Sequence, residues 1–514
     1  MNLPNSFELL DCTLRDGGYY TNWDFKKDLL ETYRSNIEKL PFDYIEIGYR
    51  NIPQKEYRGR FFYSPVGILN KWCSLNKKIV LMLDEINIPI NQVENLISPC
   101  EGIVTMFRIA AKPSRIDEAI EMAKIIKKIG FKVCINLMYL SEWDNFKNIF
   151  IKLRGIEEFI DYLYMADSYG SILPDQIEKT IHRIRSYTTV KLGFHGHNNI
   201  EMGLINSIKA IENGVKLIDS SISGMGRGAG NLKTELFLTY LDSLNLRKVN
   251  FEKLNLLVSK FESLRNIYHW GSNLAYMVSG SNSIAQKEVM DLITRRYYSI
   301  NNAIKYLGFK TEKKIKTSFK KLEQPKNLKS VLVLGGGPSV LNHKNAIISF
   351  LEQNDDVYLL FSSARHINHF NSFKKAYVVL IGSEGRRLEN NMSLPFDKTC
   401  IVPKGPYKIA PYIPNGLEKK CRELSSSIFE EENSDSHLAV TLQTGIELGV
   451  KSIYLVGFDG YSPTELNEKG SFIMKENQLI FNHFMKSKPN ISIESLTETT
   501  YKNITVASIY ARIK

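Results

Sequence analysis

The sequence is poor in the features that mark several whole classes of protein. Cysteine is scarce, six in 514 residues with no C-x-x-C pair, which excludes a disulfide scaffold and a zinc ribbon and predicts reduced thiols. No run approaches about 18 uninterrupted apolar residues, so no membrane insertion is expected. The opening stretch MNLPNSFELLDC lacks a basic region followed by a long apolar run, the pattern of a secretory signal. Together these predict a cytoplasmic protein. Low-complexity tracts and short-period repeats are absent. With 43% apolar and 24% charged residues, disordered and fibrous classes are excluded. Acidic residues are outnumbered, 55 against 67 basic, for a formal charge of +12. That surplus suits phosphates, carboxylates or nucleotides. No nucleic-acid-binding module accompanies it, so no nucleic-acid partner is expected.

What is present is a long alternation. Over the first ~290 residues, eight apolar runs rich in β-branched residues are separated by amphipathic stretches. The runs are Phe7–Cys12, Asp43–Gly48, Lys78–Leu83, Ile103–Ala110, Phe131–Met138, Phe159–Ala166, Val190–His195 and Lys216–Ile222. Arg115–Ile129 is a representative helix between them, stopped by Gly130. Eight βα units in one series predict a TIM (β/α)₈ barrel, whose chemistry sits at the carboxyl ends of its strands. Polar residues gather at those ends: Thr13–Tyr20 after the first run, Tyr49-Arg50 after the second, Arg108 and Asn136 in the fourth and fifth, Asp167-Ser168 after the sixth, His195–Asn199 at the seventh, and Gly224–Asn231 after the eighth.

His195 and His197 stand two apart, so on a strand both imidazoles point to one face and can converge on one ion. Asp16 supplies a carboxylate, and two histidines with one carboxylate leave positions open for substrate. The mixed N/O set suits a divalent ion of the Mn²⁺, Mg²⁺, Zn²⁺ and Co²⁺ group without choosing among them; Mn²⁺ or Mg²⁺ is the expected cofactor. Arg50, Arg108 and Asn136 project from strand ends and are expected to bind substrate; their other reading is salt bridging at the barrel mouth.

DCTLRDGGY at Asp11–Tyr19, FHGHNN at Phe194–Asn199 and GMGRGAGN at Gly224–Asn231 together resemble the signatures of the DRE-TIM metallolyase superfamily, which includes HMG-CoA lyase and 4-hydroxy-2-oxovalerate aldolase. The resemblance spans residues 7–285. It implies that Asp16, His195 and His197 hold a divalent metal, with Asn231 as a further ligand. Arg15 would hold an enolate oxygen. Asp167 in LYMADSYG matches a family strand end and is expected near substrate. One departure stands out: the aldolases place a histidine base three residues after the metal aspartate, and here Tyr19 occupies that position. Tyr19 becomes the candidate for proton transfer, although a phenol of pKa near 10 is a weak base at neutral pH. Arg227, inside the glycine-rich loop, is a candidate for meeting an anion.

Residues 291–328 turn basic and are interrupted by Pro325, as expected of a helical tail and linker. From residue 329 a second αβ pattern runs to 514. VLVLGGGPS at Val331–Ser339 reads as strand, glycine turn and helix start, a combination that offers backbone N–H groups to phosphate. It lacks the G-K-[ST] of a Walker A loop and the G-x-G-x-x-G of a dinucleotide site. With LGVKSIYLVGFDGYS at 448–462, it resembles Rossmann-like 6-hydroxymethylpterin diphosphokinase-like proteins and some bacterial sialyltransferases. That resemblance implies a nucleotide or nucleotide-sugar site built from Gly335, Gly336, Gly337, Ser339 and Asp459.

The expected protein is an α/β chain, a TIM barrel at 1–290 followed by a Rossmann-like domain at 329–514. Its expected function is that of a divalent-metal aldolase or lyase acting through the enolate of pyruvate or another 2-oxo acid, with an aldehyde or sugar as partner substrate. Surface-carbohydrate biosynthesis is the expected setting, and a homodimer the expected assembly. The alternatives are a Claisen-type acyl-CoA synthase, and a glycosyl or diphospho transferase whose barrel only binds ligand.

Overall fold

In the computed structural model, the described residues are 3–4, 6–55, 57–146, 148–290, 319–405, 411–429, 436–460 and 468–513. The chain divides into two units, Met1–Val289 and Met290–Lys514. The expected tail and linker at 291–328 lies outside the described residues as far as position 318.

The first unit is a closed barrel of eight parallel strands: β1 (Glu8–Asp11), β2 (Tyr44–Tyr49), β3 (Lys78–Asp84), β4 (Met106–Ala111), β5 (Lys132–Leu137), β6 (Tyr162–Asp167), β7 (Lys191–Gly196) and β8 (Leu217–Ser220). Pairing of β1 with β8, Glu8 opposite Leu217, closes it. Each strand falls on one of the eight apolar runs, and the helix between β4 and β5 covers Ile116–Ile129 with Gly130 at φ 107° as its stop.

The interior begins as an apolar plug of Leu10, Tyr44, Val80, Met106, Cys134, Tyr162 and Leu217. Two residues further along four of these strands the lining turns polar: Glu46 after Tyr44, Arg108 after Met106, Asn136 after Cys134, Asp219 after Leu217. Residues two apart share a face of a strand, so this polar layer lies directly on the plug, toward the carboxyl ends.

The second unit is built on a nine-stranded sheet, parallel throughout: β9 (Lys320–Lys321), β10 (Ser330–Leu334), β11 (Val357–Phe361), β12 (Ala376–Val379), β13 (Thr399–Val402), β14 (Cys421–Glu423), β15 (Ser452–Val456), β16 (Ser492–Ser495) and β17 (Thr505–Val506), in the order 17-16-15-10-11-12-13-14-9. Both faces are covered. Leu332, Leu334, Leu359 and Phe361 belong to one apolar layer, while Val331, Val333, Leu360 and Ile453 belong to the other. Burial on two faces is why VLVL reads as an unbroken apolar run rather than as an alternation. Strand order reverses between β10 and β15, and in open parallel sheets such a reversal opens a crevice at the strand ends.

Candidate active site

A helix, Thr13–Thr21, follows β1 directly, where the sequence shows only a polar strand end. Two adjacent glycines lower helix propensity, but packing requires them. A Cβ on Gly17 would lie 2.5 Å from Met225 Sδ, and one on Gly18 would lie 2.0 Å from Trp23 Cδ1. Trp23 Nε1 in turn donates to Arg15 O at 2.9 Å. The helix is thereby pinned with Arg15 and Asp16 buried over the barrel mouth.

Asp16 is the centre of the arrangement. Its Oδ1 accepts from Arg15 Nη1, its Oδ2 accepts from Asn231 Nδ2 at 2.6 Å, and His195 Nε2 stands 3.5 Å from that same oxygen. Burial works against the charged carboxylate, but Arg15, His195, His197 and Asn231 outweigh it and hold Asp16 at about 2. It is ionised at any physiological pH. His197 is edge-on to His195, ring centres 5.0 Å apart. Burial and the neighbouring His195 push His197 down to about 3, so its imidazole is neutral, the form that ligates metal.

Each histidine is aimed by its Nδ1. His195 Nδ1 pairs with Asp219 Oδ2 at 2.8 Å, and His197 Nδ1 with the Asp167 carbonyl at 2.8 Å. Both Nε2 atoms are thus left for a ligand, the arrangement by which outer carboxylates and carbonyls orient metal-binding imidazoles. Asn231 Oδ1 is buried with no hydrogen-bond partner. A Cβ on Gly226 would reach 2.6 Å from that oxygen, so the glycine-rich loop folds tightly around it. A carboxylate, two imidazoles and an orphaned amide oxygen fit a divalent cation by donor chemistry. Among the described residues, the ligand-type atoms of His, Cys, Asp and Glu that lie within 4.8 Å of one another are those of Cys12, Asp16 and His195, a set that leaves out His197. Burial and Asp16 push the Cys12 thiol well up, and its sulfur faces the Ser220 carbonyl at 3.4 Å.

Beneath lies the polar layer. Glu46 Oε2 accepts from Arg15 Nε at 2.8 Å and from Arg108 Nη1 at 3.1 Å. Arg108 Nη2 donates to Asp219 Oδ2 at 2.8 Å and to Asn136 Oδ1 at 3.2 Å. Tyr164 donates to Asp219 Oδ1 at 2.6 Å, and Arg108 stacks on the Tyr164 ring at 4.1 Å. One continuous network therefore runs Arg15–Glu46–Arg108–Asp219–His195. Three atoms in it have no partner: Arg15 Nη2, Glu46 Oε1 and Arg108 Nε.

This layout revises several expected substrate contacts. Arg108 has no exposed surface; it braces Glu46 and Asp219. Asn136 is tied to Arg108. Arg50 donates to the carbonyls of Leu96, Tyr63 and Ser64, which fastens the barrel rim. The Asp167 carboxylate accepts from the backbone N–H groups of Ser171 and Ile172, shaping the loop whose carbonyl orients His197. The physical reason is shared: a strand end offers polar side chains to its own rim and core before it offers them to a ligand. Tyr19 sits half-buried at the mouth, its hydroxyl 2.8 Å from that of Tyr49. Asp219 and Tyr164 escaped the sequence reading. Their signal was a lone acid and a tyrosine inside otherwise apolar runs.

In the second unit, a cavity of about 310 Å³ opens where β10 and β15 diverge. Gly335, Gly336, Gly337, Ser363, Arg365, Arg387, His437, Asp459 and Tyr501 are among its lining residues. Two of the three glycine N–H groups of the turn are engaged within the protein. Gly335 N donates to Val456 O and Gly337 N to Gly457 O. Ser339 gives both its N–H, at 2.9 Å, and its hydroxyl to Asp459. A Cβ on Gly335 would fall 2.3 Å from Gly457 O. These glycines let two loops touch.

Comparison with known proteins follows the barrel. Residues 104–260 match the HMGL-like family model. A solved N-terminal domain of a candidate aldolase from Bacteroides vulgatus is 48% identical, with a TM-score of 0.56 over 58% of this chain and 99% of that one. The chain belongs to the HMGL-like family. Among curated proteins, the 4-hydroxy-2-oxovalerate aldolases of Bacillus cereus and Moorella thermoacetica are 24% and 26% identical, each over 48% of this chain, and over 72% and 74% of theirs. The HMGL-like barrel is that of a metal-dependent carbon–carbon lyase of the DRE-TIM type. Among the described residues, no helix is long and apolar enough to cross a membrane.

Proposed function

We propose that the barrel makes or breaks the carbon–carbon bond beside the ketone of pyruvate or another 2-oxo acid, with an aldehyde as the other reactant. The observation that carries this reading is the grouping of Asp16, His195 Nε2 and Asn231 beside an unpartnered Arg15 Nη2, with His197 edge-on to His195. Asp16, His195, His197 and Asn231 would hold a divalent ion, Mn²⁺ or Mg²⁺ before Zn²⁺ or Co²⁺, which when bound polarises the ketone and acidifies the carbon next to it. Arg15 would donate Nη2 to the oxygen that gains charge as the bond changes. Glu46 fixes that guanidinium from behind, and an arginine stays cationic throughout. Asp219 keeps His195 from turning. The paired hydroxyls of Tyr19 and Tyr49 are the groups placed to move or accept the reacting proton.

Full-length protein loaded with Mn²⁺ should exchange the methyl protons of pyruvate for deuterium in D₂O, followed by NMR. Asp16→Ala should lose both the exchange and stoichiometric metal. Arg15→Lys should keep the metal and slow exchange by roughly 10²–10³-fold. A wild-type protein that binds metal yet exchanges nothing with any of the four ions would overturn the reading.

For the second unit we infer a Rossmann-like nucleotide or nucleotide-sugar site in the cavity between β10 and β15. Its support is the strand reversal and the lining by Arg365 and Arg387. Phosphate would fall to those side chains and to the Gly336 N–H, because the Gly335 and Gly337 donors are spent. Thermal shift over nucleoside mono-, di- and triphosphates and nucleotide sugars tests it; stabilisation is expected, and no shift with any member removes the assignment.

A further inference from the structure

Arg227 lies in the loop that carries Asn231, half-buried at the mouth of the barrel. Its guanidinium sits over the Tyr19 ring, 4.1 Å from the ring centre. Among the described residues it has neither a hydrogen-bond acceptor nor an ion-pair partner. The acids near it are engaged: Asp16 by Arg15 and Asn231, and Asp84 by Asn87 Nδ2 at 2.5 Å. Arg227 cannot easily swing elsewhere. Gly228 N donates to the Tyr20 hydroxyl at 3.0 Å and Ala229 N to Gln286 Oε1 at 2.9 Å, so the backbone beside it is tied down. A guanidinium with five donors and no acceptor, partly shielded from water, is costly unless an anion completes it.

We propose that Arg227 is the specificity-determining residue that grips a carboxylate or phosphate on the aldehyde partner of the 2-oxo acid. The inference rests on the carbon–carbon lyase reading of the same site. Depth assigns the partner. Arg15, Asp16, His195 and Asn231 are buried, whereas Arg227 and Tyr19 are half-buried. The 2-oxo acid takes the inner position, where Arg15 Nη2 waits. A second reactant entering from solvent puts its carbonyl inward and its tail against Arg227. In the condensing direction, carbon 3 of the 2-oxo acid gives up a proton and its electron pair forms the new bond to the aldehyde carbon. The aldehyde π pair moves onto oxygen, which takes up a proton, and the product is a 4-hydroxy-2-oxo acid. Cleavage is the reverse. Arg227 undergoes no covalent change; it chooses which aldehyde is held.

The test uses the full chain with Mn²⁺, pyruvate and three aldehydes: glycolaldehyde, which is neutral, glycolaldehyde phosphate, and succinic semialdehyde, which carries a carboxylate. Wild type should prefer at least one anionic aldehyde over the neutral one, and the better of the two identifies the anion. Arg227→Met, which keeps the stem and removes the charge, should lower kcat/KM for that aldehyde by about 10- to 100-fold, mostly through KM. Glycolaldehyde turnover and pyruvate deuterium exchange should stay near wild type, and Arg227→Lys should recover part of the loss. Binding of ethylene glycol phosphate or 4-hydroxybutyrate by calorimetry should weaken in parallel, a readout independent of turnover. Three results would overturn the inference: a wild type indifferent to aldehyde charge, an Arg227→Met variant with unchanged discrimination, or an equal loss of pyruvate exchange, which would place Arg227 on the 2-oxo acid instead. Absence of pyruvate exchange in wild type is the separate result that removes the lyase reading itself.

Discussion

The two units treat their sequence motifs in opposite ways. In the barrel, residues singled out by the DCTLRDGGY, FHGHNN and GMGRGAGN motifs gather with atoms to spare: Arg15 Nη2 and Asn231 Oδ1 are buried and unpartnered, as is Glu46 Oε1 in the layer beneath. In the second unit, the glycine turn after β10 is tied to the end of β15 and the loop after it, through Gly335, Gly337, Ser339 and Asp459. Among the described residues, His366 Nε2 is the one buried side-chain atom of that unit left without a partner. A buried orphan atom is expensive, so a protein keeps several together where a ligand completes them. The barrel mouth is in that condition. Gly335, Gly337 and Ser339 instead hold two loops together with their own donors.

The largest expected effect separates the units by charge. Asp219 neutralises Arg108, accepts from Tyr164 and aims His195. Asp219→Ala leaves the buried Arg108 guanidinium short of an anion and should destabilise the barrel by about 3–5 kcal/mol, measured by denaturant unfolding. Asp219→Asn keeps the volume and one acceptor; it should fold but bind Mn²⁺ roughly 10–100-fold more weakly, the usual effect of losing the group that orients a metal-bound histidine. If Asp219→Asn binds metal normally, the network below the mouth is structural only and the contrast between the units narrows.

A smaller effect is expected from the second unit. Ser339→Ala removes a hydroxyl that donates to Asp459 and accepts from Gly457 N at 3.1 Å. It should cost about 1–3 kcal/mol, seen as a lower unfolding midpoint, with pyruvate exchange unchanged. A variant of wild-type stability would show that this tie between the two loops is incidental.

How far the sequence could be read follows from the same physics. Barrel strands announce themselves because burial on both faces demands continuous β-branched runs, and i, i+2 spacing places His195 and His197 on one face. The helix at Thr13–Thr21 was hidden because Gly17 and Gly18 contradict helix propensity while satisfying packing against Met225 and Trp23. Short edge strands such as Lys320–Lys321 and Thr505–Val506 are too brief and too exposed to leave a pattern. For side chains the limit is partnership. Arg15, Arg50, Arg108 and Arg227 look alike as arginines at strand ends or loops. Arg108 is consumed by Glu46 and Asp219, and Arg50 by carbonyls. Arg15 keeps one atom free, and Arg227 has no polar partner among the described residues. Sequence gives residue type; only three-dimensional neighbours say which cation is still available.

The smallest expected effect bears on which atoms make up the metal set. Cys12 lies closer to Asp16 than a mere core residue need be, its sulfur 3.8 Å from Asp16 Oδ2. A soft ligand there would favour zinc over manganese. Yet the thiol is pushed up by burial and by Asp16, and a thiol that keeps its proton is no thiolate ligand. Cys12→Ala should therefore keep stoichiometric metal and an unchanged preference between Mn²⁺ and Zn²⁺, read by competition dialysis. Asn231→Ala, which removes the orphaned Oδ1, should weaken binding of either ion. Were the two results exchanged, the site would be a Cys12–Asp16–His195 centre, Asn231 would join the packing residues, and the barrel mouth would have one fewer atom waiting for a ligand.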